Sequence, residues 1–166
     1  IFGLGIYAMN SEAITWQDYP QQDGHTVVGN LKICKGFYSP QLDNRRDVSV
    51  YLPPSYADSH RRYQVLYMHD GQNLFDRATS YVGQDWQVDE TLEKLSREGL
   101  ETIVVGLNNI CDQRLKEYNP FAGFHDGRGE RYLDFIINTV KPVVDRDFRT
   151  LPGRANTGML GSSMGG

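Results

Sequence analysis

The sequence predicts an α/β domain built on a mostly parallel central sheet with helices packed on it. Three observations predict it. Two β-branched, apolar runs, Tyr63-Gln64-Val65-Leu66-Tyr67-Met68 and Thr102-Ile103-Val104-Val105-Gly106-Leu107, read as strands covered on both faces. Between them, Trp86, Val88, Leu92 and Leu95 recur at nearly helical spacing, which gives the strand, helix, strand order of a parallel crossover. A third apolar run, Thr157-Gly158-Met159-Leu160, leads directly into Gly161-Ser162-Ser163-Met164-Gly165.

Element by element, Thr26 to Phe37 places Val27, Leu31 and Ile33 among polar neighbours without helical spacing, with Gly29 and Gly36 interrupting. This is a strand with an irregularity. Asp47-Val48-Ser49-Val50-Tyr51-Leu52 alternates as a half-buried strand does, and Pro53-Pro54 stops it. The run from Tyr63 ends at His69-Asp70-Gly71, so an interior loop is expected there. The helix runs from Asp85, its expected N-cap, to Arg97, with Gly99 as terminator. After Leu107 a long loop rich in Gly, Pro and aromatics extends to Arg128, and long ordered loops often carry function. Tyr132, Phe135, Ile136, Thr139, Val140 and Val143 then form one helical stripe that Pro142 is expected to kink or end. The domain is expected over 26–166, with 1–25 as an N-terminal extension that is partly non-native, since Met9 opens a more ordinary polar segment.

Bulk properties narrow the function. The 166 residues carry a formal charge of −4 with basic and acidic side chains intermixed, so no basic stripe is available to neutralise phosphates, and nucleic acid is excluded as a partner. Apolar runs all fall short of a membrane span, and the first residues lack the basic segment of a signal peptide. A cytoplasmic location is therefore the favoured expectation. Cys34 and Cys111 are far apart and outside any metal-ligand spacing, which predicts two buried, reduced thiols. Gly3-Leu4-Gly5-Ile6-Tyr7-Ala8 fits a loose dinucleotide fingerprint, but no strand precedes it and no helix follows, so it is rejected.

The segment Gly161 to Gly165 carries the chemistry. In G-x-S-x-G the serine occupies a very tight strand-to-helix turn that leaves no room for side chains two positions before or after it. Gly161 and Gly165 flank Ser163 at those positions, whereas Ser162 would need small residues at Leu160 and Met164. Ser163 is thus the candidate nucleophile, and the Met164 N–H points toward the oxygen that becomes negative in a tetrahedral intermediate. The alternative is a chance Gly/Ser loop, against which the preceding apolar strand argues. A second oxyanion donor must come from the loop after an earlier strand, and His69-Asp70-Gly71-Gln72-Asn73 is so placed. Its plain alternative is a turn in which Asp70 bonds the local backbone. His69 precedes the serine and reads as loop architecture. His25, His60 and His125 have no ligand spacing and read as surface or pocket-rim residues.

Three segments in this order, Val50-Tyr51-Leu52-Pro53-Pro54-Ser55-Tyr56, Tyr67-Met68-His69-Asp70-Gly71-Gln72-Asn73-Leu74-Phe75-Asp76 and Gly161-Ser162-Ser163-Met164-Gly165-Gly166, resemble the putative esterase family of α/β-hydrolases. That family includes enterochelin esterases, feruloyl esterases, S-formylglutathione hydrolases and mycolyltransferases. Trp86-Gln87-Val88-Asp89, Arg114 with Glu117-Tyr118 and Pro120, and Tyr132 through Pro142 are similar too, so the resemblance runs from about Thr26 to the end. It implies an α/β-hydrolase fold, Ser163 as nucleophile, and an oxyanion hole made by the backbone N–H groups of Met164 and Gln72, with Asn73 as the fallback. It further implies a small-molecule ester substrate, no metal and no organic cofactor. Trp86 and the Asn108 to Tyr118 loop would line the acyl or alcohol pocket, or else serve packing and, for Arg114 and Glu117, ion pairing. Relatives place an acid and a histidine after the elbow, so this chain is expected to be the N-terminal part of such a domain, lacking its later strands and inactive alone. A non-catalytic binding module and an acyltransferase using the same serine are the alternatives.

Overall fold

The computed structural model describes residues 13–166. The expected native start at Met9 and the rejected Gly3 to Ala8 fingerprint lie outside the described residues.

Among the described residues six strands form one sheet: β1 (Gln17–Asp18), β2 (Asn30–Ser39), β3 (Asn44–Leu52), β4 (Val65–His69), β5 (Ile103–Leu107) and β6 (Thr157–Leu160), in the spatial order β1-β2-β3-β5-β4-β6. The parallel part is where the apolar runs predict it: β4 lies between β5 and β6 and pairs with both in parallel. The three preceding strands extend the sheet in antiparallel fashion, which makes it mixed as a whole. The irregularity expected in the first long strand is a register shift between Cys34 and Phe37.

Alternation along the strands divides the core between two faces. Val48, Val50, Val65, Tyr67, Ile103, Val105 and Leu107 point to one face, and Tyr51, Met68 and Val104 to the other. Helix α1 (Val88–Ser96) covers the second face through Val88 and Leu92. The first is covered by a helical segment in three parts: α3 (Gly129–Phe135), a π turn (Ile136–Val140) and α4 (Lys141–Asp147), which bury Tyr132, Phe135, Ile136, Val140 and Val144. The short α2 (Arg114–Glu117) lies in the preceding loop.

One expectation about a helix end is narrowed and another corrected. Of the two outcomes expected at Pro142, a kink or an end, the helix does not end there. The chain shifts by one residue through the π turn, with the Lys141 N–H reaching the Ile136 carbonyl, and Pro142 then sits in the first turn of α4, where its missing N–H is tolerated. At α1 the N-cap is Gln87 and not Asp85, because Gln87 takes a left-handed conformation and the helix starts only at Val88. The Asp85 carboxylate therefore caps nothing. The thiols are also unlike each other: Cys34 is buried as expected, but Cys111 is exposed because its loop runs over the surface.

Residues 14–25 pack on the sheet through Ile14, Trp16 and Tyr19. Among the described residues no helix is long and apolar enough to cross a membrane.

Candidate active site

Two loops leave the same edge of the parallel sheet, one from the end of β4 and one from the end of β6, whose register brings Met68 opposite Leu160. Ligands of such sheets bind outside the carboxyl ends of the strands.

After β6 the chain passes Ser162 in an extended conformation and turns at Ser163, whose φ of 57° lies in the left-handed region that non-glycine residues rarely occupy. A single helical turn, Ser163–Gly165, follows, closed by Gly165 N–H to Ser162 O at 2.9 Å and Gly166 N–H to Ser163 O at 3.2 Å. The turn is so tight that a Cβ on Gly161 would lie 1.8 Å from the Gly165 carbonyl oxygen and 2.7 Å from His69 Cδ2. Gly165 is less constrained, since its Cβ would meet the Tyr118 ring at 3.3 Å. Ser163 itself is exposed, and among the described residues nothing hydrogen bonds to its hydroxyl.

Beneath the turn lies an aromatic bed. His69, Tyr118 and Tyr132 pack with ring centroids 5.2–5.4 Å apart, and His69 Nδ1 is 3.0 Å from the Tyr132 hydroxyl. Burial lowers the His69 pKa, the Asp70 charge opposes this and Arg114 adds to the lowering. His69 is thus packed into the interior at the end of β4.

The other loop begins at Asp70, also left-handed with φ 56°, and continues as the turn Gly71–Asn73. The Asp70 carboxylate does not serve the local backbone. Its carboxylate accepts from Arg114 Nε and Nη2, both at 2.8 Å, from Asn109 Nδ2 at 2.6 Å and from the Tyr118 hydroxyl at 3.1 Å. Burial alone would raise its pKa; the hydrogen bonds and charge of Arg114, with Asn109 and Tyr118, outweigh it and hold the carboxyl below its usual range. Gly71 seats the turn on β5, since a Cβ there would come within 2.7 Å of Gly106 C. Gln72 is held at both ends: its Oε1 accepts from the Asn109 N–H at 3.1 Å and its carbonyl from Thr79 Oγ1 at 2.8 Å. The Asn73 N–H is engaged by the Asp70 carbonyl at 2.8 Å. No acceptor among the described residues takes the Gln72 or Met164 N–H.

Gln72 and Met164 are each among the residues that line a hollow. Met164 lines one of about 410 Å³ with His69, Glu117, Tyr118, Tyr132 and Gly161. Gln72 lines another of about 280 Å³ with His25, Asp76 and Asn108. His25 is a rim residue, as expected, and its Nδ1 lies 2.5 Å from Asp76, which also accepts from Tyr19 at 3.0 Å. Arg114 and Glu117 are ion-paired: Glu117 accepts from the buried Arg46 at 2.8 Å and from Asn44 at 2.8 Å. Trp86 lies half-exposed on the loop before α1. The Asp70 hub and the packing of His69 with Tyr118 and Tyr132 escape sequence reasoning, because partners 39 to 63 residues apart leave no local pattern. The acid at a strand end is the one signal. Among the described residues one acidic group could hold a metal, Asp85 with Asp89 and Glu90, away from this turn in the chain.

Residues 39–166 match the family described as "Putative esterase". The chain belongs to this family. Among its relatives, the uncharacterized protein YbbA of Bacillus subtilis is 29% identical over 140 residues, covering 80% of this chain and 52% of that protein. An IroE-like serine hydrolase from Shewanella oneidensis superposes with a TM-score of 0.62 at 25% identity, over 81% of this chain and 43% of its own. The ferulic acid esterase AmCE1/Fae1A from Anaeromyces mucronatus does so with a TM-score of 0.53 at 26% identity, over 88% and 53%. The chain thus spans about half the length of the curated relatives it matches. The α/β-hydrolase fold follows from these likenesses together with the mixed sheet and its helices.

Proposed function

We propose that the complete protein is a serine carboxylic-ester hydrolase in which Ser163 is the nucleophile. The observation that carries this reading is the left-handed Ser163 at the end of β6, on a turn closed so tightly that Gly161 admits no side chain. Strain of this kind is kept where it serves a site, and here it lifts a hydroxyl clear of the sheet.

In the proposed reaction the Ser163 Oγ attacks the ester carbonyl carbon, and the resulting oxyanion accepts hydrogen bonds from the N–H groups of Met164 and Gln72. Expulsion of the alcohol leaves an acyl-serine, which water hydrolyses to acid and free enzyme. The free Gln72 N–H, beside an engaged Asn73 N–H, supports Gln72 over the fallback. Serine needs a base to lose its proton, and His69 is turned to Tyr132 and packed between Tyr118 and Tyr132. The acid and histidine that relatives carry after the elbow would complete the triad, so residues 1–166 alone should hydrolyse esters no faster than buffer.

The test is hydrolysis of p-nitrophenyl acetate by the complete gene product and by its Ser163→Ala and Ser162→Ala variants. Loss of at least roughly 10³-fold in kcat on Ser163→Ala, with Ser162→Ala nearly unaffected, is expected. Equal rates for Ser163→Ala and the wild type discard the nucleophile. Product analysis with a competing alcohol separates hydrolysis from acyl transfer.

A further inference from the structure

Asp85, in the loop that enters α1, meets Asp89 and Glu90 of the helix's first turn, and among the described residues no cationic side chain pairs with them. One oxygen each from Asp85, Asp89 and Glu90 lies within 4.8 Å of the others. Asp85 is 5% exposed and Asp89 0%. Both Asp85 oxygens, Asp89 Oδ1 and Glu90 Oε2 are buried without a hydrogen-bond partner among the described residues. The Val28 N–H, at 2.7 Å from Asp89 Oδ2, is the one donor to reach Asp89 from outside the cluster among the described residues. Buried carboxylates are ordinarily paired, hydrogen bonded or metal-bound. The start of α1 supplies only about half an elementary charge, which cannot match three anions.

We propose that Asp85, Asp89 and Glu90 form a binding site for a hard divalent cation of the calcium or magnesium class. The donors are all carboxylate oxygens, the set that such cations prefer, with neither thiolate nor imidazole to favour zinc or copper. Four oxygens stand free for coordination, and water would supply the remaining positions.

The site has a mechanical link to the turn after β4. The Trp86 N–H donates to the Asn73 carbonyl at 2.8 Å and the Val88 N–H to the Leu74 carbonyl at 3.1 Å. The Tyr81 N–H donates to Asn73 Oδ1 at 2.8 Å. Fixing Asp85 to the first turn of α1 through a cation therefore braces the peptide beside Gln72.

Terbium binding to the complete, EDTA-stripped protein tests the proposal, read by luminescence sensitised through Trp86, the neighbour of Asp85 in the chain. Saturable single-site emission that calcium or magnesium competes away is expected. With it should come a rise in melting temperature of roughly 5–10 °C at calcium or magnesium about 100-fold above its Kd. The near-isosteric Asp85→Asn variant should lose both responses yet melt in EDTA no lower than the wild type, since it relieves repulsion between unpaired carboxylates. That second readout separates site loss from misfolding. No saturable binding up to roughly 10 mM of either cation, tenfold above the weakest protein calcium sites, would overturn the proposal. So would binding that survives in both Asp85→Asn and Asp89→Asn.

Discussion

Replacing Gly161 by alanine should separate sterics from chemistry at the elbow. The new Cβ would stand 1.8 Å from the Gly165 carbonyl oxygen. A carbon–oxygen contact relaxes at about 3.3 Å, so backbone must move by about 1.5 Å. Retreat is blocked on the other side by His69 Cδ2 at 2.7 Å, a ring wedged against Tyr118 and Tyr132. The displaced element is the turn that holds Ser163 and the Met164 N–H. A misplacement of 1 Å at reacting groups can reduce the rate by about 100-fold, so Gly161→Ala should lower kcat/KM on p-nitrophenyl acetate by at least that factor. Stability should fall by about 1–3 kcal/mol, the usual penalty of overpacking. Gly165→Ala is the matched control, because its Cβ meets only the edge of Tyr118 at 3.3–3.4 Å and His69 Cβ at 3.5 Å. It should retain activity to within about tenfold. A fully active Gly161→Ala, or an equal loss in both variants, would refute the reasoning.

Ser163→Gly should remove the left-handed strain at φ 57° and raise stability by about 1 kcal/mol while abolishing esterase activity; a lower melting temperature than wild type in thermal denaturation contradicts this. Asp70→Asn should destabilise by about 2–4 kcal/mol at pH 7, measured by urea denaturation, since it strips a buried partner from Arg114. A carboxyl held below its usual range stabilises above its unfolded pKa of about 3.9 and loses that contribution as pH falls through its lowered value, so the difference between variant and wild type should shrink below about pH 4. His69 should give the NMR signature of a neutral imidazole at pH 6.5, and stability should fall on acidification below about that pH as the unfolded state takes up the proton that burial denies the native one; a His69 protonated at pH 6.5 contradicts this. Tyr67→Phe should be neutral or stabilising by up to about 1 kcal/mol in the same denaturation assay, because the buried Tyr67 hydroxyl has no partner among the described residues.

The strands were legible because burial on both faces demands unbroken apolar, β-branched stretches, and Val65–Met68 and Ile103–Val105 carry that demand in consecutive residues. The elbow was legible for a similar reason: its pattern lies within five adjacent positions, and the residue it selects, Ser163, is the left-handed one, although the steric constraint falls on Gly161 more than on Gly165. What could not be read was set by contacts between distant residues. Asp85 had the chemistry and position of an N-cap, and only the left-handed Gln87 shows the helix starting later. The π turn before Pro142 leaves the apolar stripe intact, so periodicity does not reveal it. Arg46 and Glu117 look like solvated charges in the sequence, yet they meet in the interior beneath Tyr132 and Phe135.

The central claim is that Ser163 is the residue that becomes acylated. Treatment of the complete protein with a fluorophosphonate, followed by peptide mapping in a mass spectrometer, addresses it directly. One covalent adduct per chain on Ser163, blocked by prior incubation with an ester substrate and absent from Ser163→Ala, is the result predicted. An adduct on Ser162 or elsewhere, or none on a protein that hydrolyses p-nitrophenyl acetate, would contradict the account.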